Sequence, residues 1–121
     1  FPHQVMANVY KNTDMIITVS NDAWFGHSHG PAQHLQIAQM RALELGRPVV
    51  RATNNGITAF IDHKGVITTR LPQFMEGNIS APVIATSGFT PYYHLQELGV
   101  WFIVIMLFIC ALYLKRNQKY Q

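Results

Sequence analysis

The feature that most constrains this chain is an uncharged segment near its C-terminus, from Leu98 to Leu114. As a helix, this segment would be roughly 25 Å long at ~1.5 Å per residue, which is at the short end for a transmembrane helix. Aromatic residues stand near both of its ends, as is typical of membrane interfaces: Tyr92, Tyr93, Trp101 and Tyr113. A buried core helix is the alternative, but it needs a larger protein to cover it on every side. The segment therefore predicts one membrane-spanning helix.

Basic residues follow this segment at once, at Lys115, Arg116 and Lys119. The positive-inside tendency then places the C-terminus in the cytoplasm and the preceding domain outside, which in a bacterium is the periplasm. The formal net charge of +3 comes partly from this tail, so no basic face for nucleic acid is implied. The single cysteine, Cys110, allows no internal disulfide, and inside an apolar span its thiol is hard to ionise to the reactive thiolate.

The remainder of the chain has the pattern of an α/β domain. Asp14–Ser20 is a short, mostly apolar, β-branched run, typical of a strand buried on both faces. Ser20–Gly30 is rich in loop-forming residues, and Pro31 suits the first position of a helix. Gly46 can end that helix, and Pro48 prevents its continuation. One apolar helix face is formed by residues three and four apart: Leu35, Ala38, Ala42 and Leu45.

Further strands are predicted after this helix. They cover Pro48–Ala52, Ile57–Asp62, Val66–Leu71 and a last β-like run, Asn78–Thr86. The second and third are joined by the tight connection His63-Lys64-Gly65, so they form a plausible hairpin. A strand, a helix and then several strands indicate a layered α/β fold.

The loop after the first strand is the best candidate for a functional site. Asp22 is its only acid, and it either holds the shape of the loop by bonding backbone amides or acts as a catalytic carboxylate, although no lysine or histidine partner is positioned by the sequence. Trp24 and Phe25 either form the wall of an acyl or substrate pocket or cover the edge of the core. The residues leave both alternatives open.

Histidine and arginine residues nearby are interpreted more simply. His27, His29 and His34 lack the further ligands that a zinc site needs, so we expect solvated histidines and no metal. Arg51 stands in an otherwise apolar strand and must find a partner, for which a buried structural ion pair is favoured over substrate contact. Arg41 and Glu44, three residues apart on the helix, are expected to pair at the surface.

Motifs along nearly the whole chain resemble the apolipoprotein N-acyltransferases, a membrane-embedded branch of the nitrilase superfamily. The matching segments are Ser20–Gly26, Gly30–His34, Arg41–Glu44, Gly46–Pro48, Arg51–Thr58, Leu71–Phe74 and Thr90–Tyr92. The resemblance implies part of a nitrilase-like αββα sandwich, followed by one C-terminal transmembrane helix. It also implies a place at the bacterial inner membrane, with the domain in the periplasm and the C-terminus in the cytoplasm.

The reaction implied by the resemblance moves an acyl chain from a phospholipid to the α-amino group of the lipid-modified cysteine of an apolipoprotein. It proceeds through a thioester on an enzyme cysteine, with a Glu as base, a Lys that stabilises the oxyanion, and no cofactor. None of these three residues is matched here, and Cys110 fits no catalytic position. We therefore expect the triad to lie upstream of Phe1 in another part of the same enzyme, and this chain to be inactive by itself.

By the same resemblance, Asn21, Asp22, Trp24 and Phe25 line the active-site side, near the entrance for the acyl chain or the lipoprotein. Three further residues lie in matching motifs without an assigned role: His34, Arg51 and Asn54.

The predicted organisation is a nitrilase-like domain at residues 1–90, an interfacial linker at 91–97, the transmembrane helix at 98–114 and a basic tail at 115–121. Without an upstream half of the sandwich, the strands at Asp14–Ser20 and Pro48–Ala52 are expected to have unpaired edges and exposed apolar faces. The alternative function is a membrane-anchored, non-catalytic binding or scaffold module derived from a truncated enzyme. A nitrilase-type amidase that acts on small amides is disfavoured by the missing cysteine and the hydrophobic tail.

Overall fold

The structure is a computed structural model that describes residues 13–95 and 98–118, with side chains described as far as residue 116. Predictions that concern Phe1, residues 96–97 of the linker and Lys119 in the tail lie outside the described residues. The chain divides into two compact units, Phe1–Thr90 and Pro91–Gln121, and each is described by itself.

The first unit contains a four-stranded mixed sheet in the order β1-β2-β3-β4. The strands are β1 (Ile16–Asn21), β2 (Val49–Asn54), β3 (Thr58–Ile61) and β4 (Ile67–Leu71). Strands β1 and β2 pair in parallel, whereas β3 pairs antiparallel with both β2 and β4. A parallel pair needs a crossover connection, which is supplied here by helix α1 (Gly30–Leu45). The α/β prediction and these four strands are confirmed, with ends that differ by at most two residues.

Helix α1 begins and ends as its sequence indicates. Pro31 stands in the first turn, where its missing N–H group breaks no helical hydrogen bond. Gly46 ends the helix in the left-handed conformation, with φ of 62°, and donates its N–H to the carbonyl of Ala42. A side chain at this position would strain the backbone, which explains a glycine there.

The core lies between α1 and one face of the sheet. The helix contributes Leu35, Ala38 and Ala42 from its predicted apolar face. Strand β2 contributes Val49, and β3 contributes Ala59 and Ile61. Because successive side chains of a strand point to opposite faces, the residues of β2 and β3 that alternate with these core residues lie on the other face of the sheet.

That second face is largely open to solvent at β1. Ile17 and Val19 are 68% and 82% exposed, and they are paired in register with Val50 and Ala52 of β2. The apolar run of β1 predicted a strand buried on both faces, which is wrong for the described unit. The exposed apolar face that was expected for a domain without its upstream half is confirmed on β1, the edge strand of the described sheet. The same prediction was wrong for the edges of β2, because this strand is hydrogen-bonded to β1 on one side and to β3 on the other.

The predicted strand at Asn78–Thr86 was also wrong, since these residues form no strand. Their side chains do alternate between more and less exposed positions from Ile79 to Ile84, as those of a strand do. Pro82 lies in the middle of the run and has no N–H group to donate to a neighbouring strand. Alternating exposure of side chains is therefore not sufficient to show that a segment pairs with another strand.

The second unit is helical. It consists of α2 (Pro91–Leu95) and α3 (Leu98–Gln118). In the described part of the chain, one helix is long and apolar enough to cross a membrane, over Leu98–Arg116, and none of that stretch is buried. The helix includes the predicted span and continues into the basic tail.

Candidate functional site

The candidate site lies where the parallel strands β1 and β2 end side by side. Asn21 and Asn54, the last residues of these strands, are partners in register. The pairing continues one residue further, because the N–H of Asp22 donates to the carbonyl of Asn54 over 3.1 Å. In open α/β sheets the carboxyl ends of the strands are the usual place for ligands. The loop that follows β1 is therefore held at this edge by the sheet itself.

Asp22 is the centre of the site. One carboxylate oxygen, Oδ2, accepts a hydrogen bond from Nη2 of Arg51 over 2.7 Å. The other, Oδ1, lies 3.0 Å from the hydroxyl of Ser20 and 3.1 Å from Nδ1 of His34. One side chain thus joins the end of β1, the first turns of α1 and the middle of β2.

The carboxylate is 1% exposed and remains charged because of these partners. Burial alone would raise the pKa of Asp22, but hydrogen bonds from His34 and Ser20 and the positive charge of Arg51 outweigh it. The net result is a pKa below the ordinary value for an aspartate. The buried ion pair that the sequence predicted for Arg51 is confirmed, and Asp22 is its partner.

His34 is oriented by this carboxylate. An ionised carboxylate can only accept hydrogen bonds, so Nδ1 of His34 carries the proton and donates to Asp22. The ring also packs edge-on against Phe25, with 4.8 Å between the ring centroids. About 39% of the His34 side chain is exposed, so it is half-buried and not the solvated histidine that the sequence suggested.

The loop itself is a single 3-10 turn, Ala23–Phe25. Asn21 shapes its start, because its side-chain oxygen accepts the N–H of Ala23 over 3.1 Å. Bonding a backbone amide of the loop was one of the two roles that the residues left open for Asp22, whose carboxylate is bonded instead to side chains of β1, α1 and β2. Beyond the turn, the side chain of Gln73 donates to the carbonyl of Gly26 over 2.7 Å.

Trp24 and Phe25, adjacent in sequence, have different environments. Trp24 is 87% exposed, so it does not cover the edge of the described core. Phe25 is partly covered by its contact with His34. The pocket role of these two residues stays a prediction.

Gly56 closes the site from the side of the turn between β2 and β3. It is buried, and a Cβ atom built on it would lie 2.4 Å from Oδ2 of Asp22. Any residue other than glycine would push the carboxylate away from Arg51. The close approach gives a physical reason for this glycine, which its place in a turn-prone run did not reveal.

Two open cavities flank the ends of the strands. One, of about 460 Å³, is lined by residues 19–21 and 52–54. The other, of about 470 Å³, is lined by residues 53–56, Thr58, Leu71 and residues 74–77. Asn54 lines both cavities, and Asn21 lines the first. Their amide groups can donate and accept hydrogen bonds, which suits them to contact polar groups of a ligand.

The structure therefore brings together Asp22, His34 and Arg51, which the sequence placed in separate motifs. The link between Asp22 and His34 was missed, because a loop and the start of a helix separate these residues and their spacing carries no known signature. The described residues contain no group of three or more metal-binding side chains of the His, Cys, Asp and Glu types.

Comparison with known proteins gives consistent results. The model of the carbon-nitrogen hydrolase family matches residues 1–91. A protein of Vibrio parahaemolyticus named apolipoprotein N-acyltransferase is 48% identical over 118 residues, which is 98% of this chain and 23% of the relative. A protein of the same name from Vibrio cholerae is 57% identical over 77% of this chain and 18% of the relative. Another, from Shewanella oneidensis, is 49% identical over 100% of this chain and 23% of the relative. The chain spans about a quarter of the length of these curated relatives.

Proposed function

Because the chain belongs to the carbon-nitrogen hydrolase family, we propose that it forms the C-terminal part of an apolipoprotein N-acyltransferase. The observation that carries this proposal is the identity of 48% to a protein of that name over 98% of the chain. The match includes the segment of α3, so the similarity continues beyond the hydrolase domain into the apolar helix. The mixed sheet with a helix on one face is consistent with one half of an αββα sandwich.

The proposed reaction is transfer of an acyl chain from a phospholipid to the α-amino group of a diacylglyceryl-cysteine on an apolipoprotein. In this proposal the nucleophilic Cys, the general base Glu and the Lys that stabilises the oxyanion belong to the upstream part of the same enzyme. This chain supplies one wall of the substrate pocket through Asn21, Asp22, Trp24 and Phe25. The geometry favours a structural role for Asp22, since its carboxylate is buried and is bonded to three side chains, from β1, α1 and β2.

The proposed location is the inner membrane of a bacterium, with residues 1–90 in the periplasm. Residues 91–97 would form an interfacial linker, 98–114 the span and 115–121 a cytoplasmic tail. The absence of charge from the span and the basic residues after it support this arrangement. Phospholipid, apolipoprotein and the upstream part of the enzyme are the proposed partners, and neither a cofactor nor nucleic acid is required.

An acyl-transfer assay tests the reaction. The full protein that carries this chain is placed in vesicles whose phospholipid has a labelled acyl chain, together with a peptide that begins with diacylglyceryl-cysteine. We expect the label to appear in amide linkage on the peptide, and we expect the 121-residue chain alone to transfer none. The relative from Vibrio cholerae serves as positive control. If the relative transfers the label and the full protein does not, the proposed reaction is wrong and the non-catalytic scaffold becomes the better hypothesis.

The pocket role is tested by Trp24→Ala in the full protein, with Leu43→Ala as a matched control. Both side chains are exposed and apolar, but Leu43 lies on α1 and outside the candidate loop. We expect Trp24→Ala to lower the rate of transfer while hydrogen exchange in β1 is unchanged, and Leu43→Ala to alter neither. Equal rates for the two variants would remove Trp24 from the pocket.

The topology is tested by cysteine labelling in intact cells, in a full protein in which Cys110 and every upstream cysteine, the proposed nucleophile included, are replaced by Ala. We expect Ser28→Cys to react with a reagent that cannot cross the inner membrane, and Lys119→Cys to react only with one that can. The opposite pattern would reverse the orientation.

A further inference from the structure

The segment that follows β4 is tied to the loop that follows β1. It belongs to the motif Leu71–Phe74, to which the proposed function gives no role. The side-chain amide of Gln73 donates to the carbonyl of Gly26 over 2.7 Å. The next side chain, Phe74, lies against the ring of His27, with 4.6 Å between the ring centroids. Two adjacent contacts thus join segments that are 47 positions apart in the chain.

Both sides of this junction have an unusual backbone conformation. Phe74 has a φ of 63°, in the left-handed region, which is unfavourable for a bulky residue. Gly26 has φ of 48° and ψ of −129°, a region that only glycine adopts readily. A Cβ atom on Gly26 would meet no atom within 4 Å, so the backbone and not the available space requires a glycine. Such conformations persist where the surrounding contacts hold them, and here the bond from Gln73 is one of those contacts.

The same loop is held on its other side by α1. The ring of Phe25 packs edge-on against His34, and a Cβ atom on Gly30 would overlap that ring. Between the attachments at Phe25 and Gly26, the side chain of Trp24 is 87% exposed. A rigidly held aromatic side chain is suited to bind an apolar group, because little further ordering is needed on binding.

We propose that Gln73 is a positioning residue for the acyl transfer, acting through the carbonyl of Gly26 to hold the indole of Trp24 against an acyl chain of a substrate. This inference rests on the proposed function, which places Trp24 in the wall of the substrate pocket. If the bond from Gln73 is lost, the loop must be ordered when the acyl chain binds, and the cost of that ordering weakens binding. An acyl chain that is bound equally in the ground state and the transition state contributes to KM and not to kcat.

The experiment is a double-mutant cycle in the full protein. The variants are Gln73→Leu, which removes the donor and keeps a side chain of similar size, Trp24→Ala, and the two together. Gln39→Leu is the matched control, because the side-chain amide of Gln39 donates to the carbonyl of Gly65 over 2.8 Å, outside the loop. KM and kcat are measured in detergent micelles, first with varied phospholipid and then with varied diacylglyceryl-cysteine peptide. Both substrates carry acyl chains, and the one whose KM rises identifies the chain that Trp24 contacts.

We expect Gln73→Leu to raise one KM roughly two- to tenfold, the range that corresponds to one ordinary hydrogen bond, and to leave kcat nearly unchanged. In the Trp24→Ala background the same substitution should have almost no further effect, because the side chain that it positions is gone. Hydrogen exchange at the amides of residues 25–28, three of which are bonded within the loop, should become faster in Gln73→Leu. Gln39→Leu should change neither the kinetics nor this exchange.

Equal rises in KM with and without Trp24 would overturn the inference, as would an equal rise in Gln39→Leu or unchanged exchange in the loop. An unaltered protein that transfers no acyl chain contradicts the proposed function, and the positioning role of Gln73 fails with it. An active unaltered protein with an equally active Gln73→Leu variant contradicts the role of Gln73 alone.

Discussion

The two ends of α1 lie beside two buried arginines that are stabilised in different ways. Near the start of the helix, Arg51 binds the carboxylate of Asp22, which also binds His34. At the end of the helix, Arg47 binds only carbonyls among its described partners. The first arrangement neutralises a charge, and the second satisfies hydrogen bonds around a charge. Within one domain, Arg51 thus forms an ion pair, whereas Arg47 links separate backbone segments through hydrogen bonds.

The difference has a physical consequence. When one member of a buried ion pair is lost, the other is left as a charge without compensation, which is among the largest penalties a single substitution can cause. When Arg47 is lost, the carbonyls lose donors but no buried charge remains. The region around Asp22 should therefore be more sensitive to substitution and to pH than the region around Arg47.

The largest effect is expected for Asp22→Ala. This change leaves Arg51 buried and unpaired, and it should lower the free energy of unfolding by about 3–5 kcal/mol. Hydrogen exchange of the amides in β1 and β2 of the full protein measures the change locally. The double variant Asp22→Ala with Arg51→Met should recover part of the loss, because it removes both charges. A double variant as unstable as the sum of the two single ones would show that charge pairing is not what the site supplies.

Acid should weaken the same region, with a smaller effect because protonation removes the charge of Asp22 and keeps its side chain. The folded-state pKa of Asp22 is depressed, so its contribution is fully present above the unfolded value of about 3.9 and is lost as the pH falls through the folded value. Thermal unfolding of the purified protein at a series of pH values measures this. Asp22→Asn should flatten the dependence in this acid range, and an unchanged slope would exclude Asp22 as its source.

Arg47→Met should cost about 1–3 kcal/mol, because it deprives buried carbonyls of their donor. In contrast with the change at Asp22, this loss should be the same at neutral pH and in mild acid, since no carboxylate is among the described partners of Arg47. Hydrogen exchange of the amides around Gly88, measured at two pH values, provides the test. A loss that grows or shrinks with pH would indicate that Arg47 does depend on an acid.

An effect of similar size is expected for Gly56→Ala, at about 1–3 kcal/mol, because the carboxylate of Asp22 is displaced but keeps its charge and its other partners. The added methyl would lie 2.4 Å from Oδ2 of Asp22 and must displace it. Gly77→Ala is the matched control, because its methyl would meet only Leu71 at an ordinary distance of 3.4 Å. Hydrogen-exchange rates of the β2 amides distinguish the two variants, since only Gly56→Ala should make them faster. Equally mild effects of both substitutions would show that the carboxylate of Asp22 can move without losing its contact with Arg51.

Much of the fold could be predicted from local sequence. β1 was predicted from a short apolar, β-branched run and α1 from apolar residues three and four apart, and Pro31 and Gly46 mark the ends of the helix through their backbone preferences. The run at Asn78–Thr86 could not be assigned in this way. A strand exists only if another strand bonds to it, and the alternation of side chains reports exposure and not pairing.

The candidate site could be located but not assembled. The loop Ser20–Gly26 was identified from its residue types and its position after a strand, and a partner for Arg51 was required because a buried charge must be compensated. That this partner is Asp22, and that His34 completes the contact, depends on how the crossover brings α1 back over the sheet.

The sequence by itself determined an α/β domain, an apolar helix and a loop of interest between the first strand and α1, because each depends on interactions over a few residues. Only the tertiary structure decided that Arg51 is paired with Asp22 while Arg47 binds backbone carbonyls. Both arginines follow the same helix within a few positions and carry the same charge. Apart from Gly46, their partners are distant in sequence. The packing of the chain, and not any local pattern, therefore selects a carboxylate for one and carbonyls for the other.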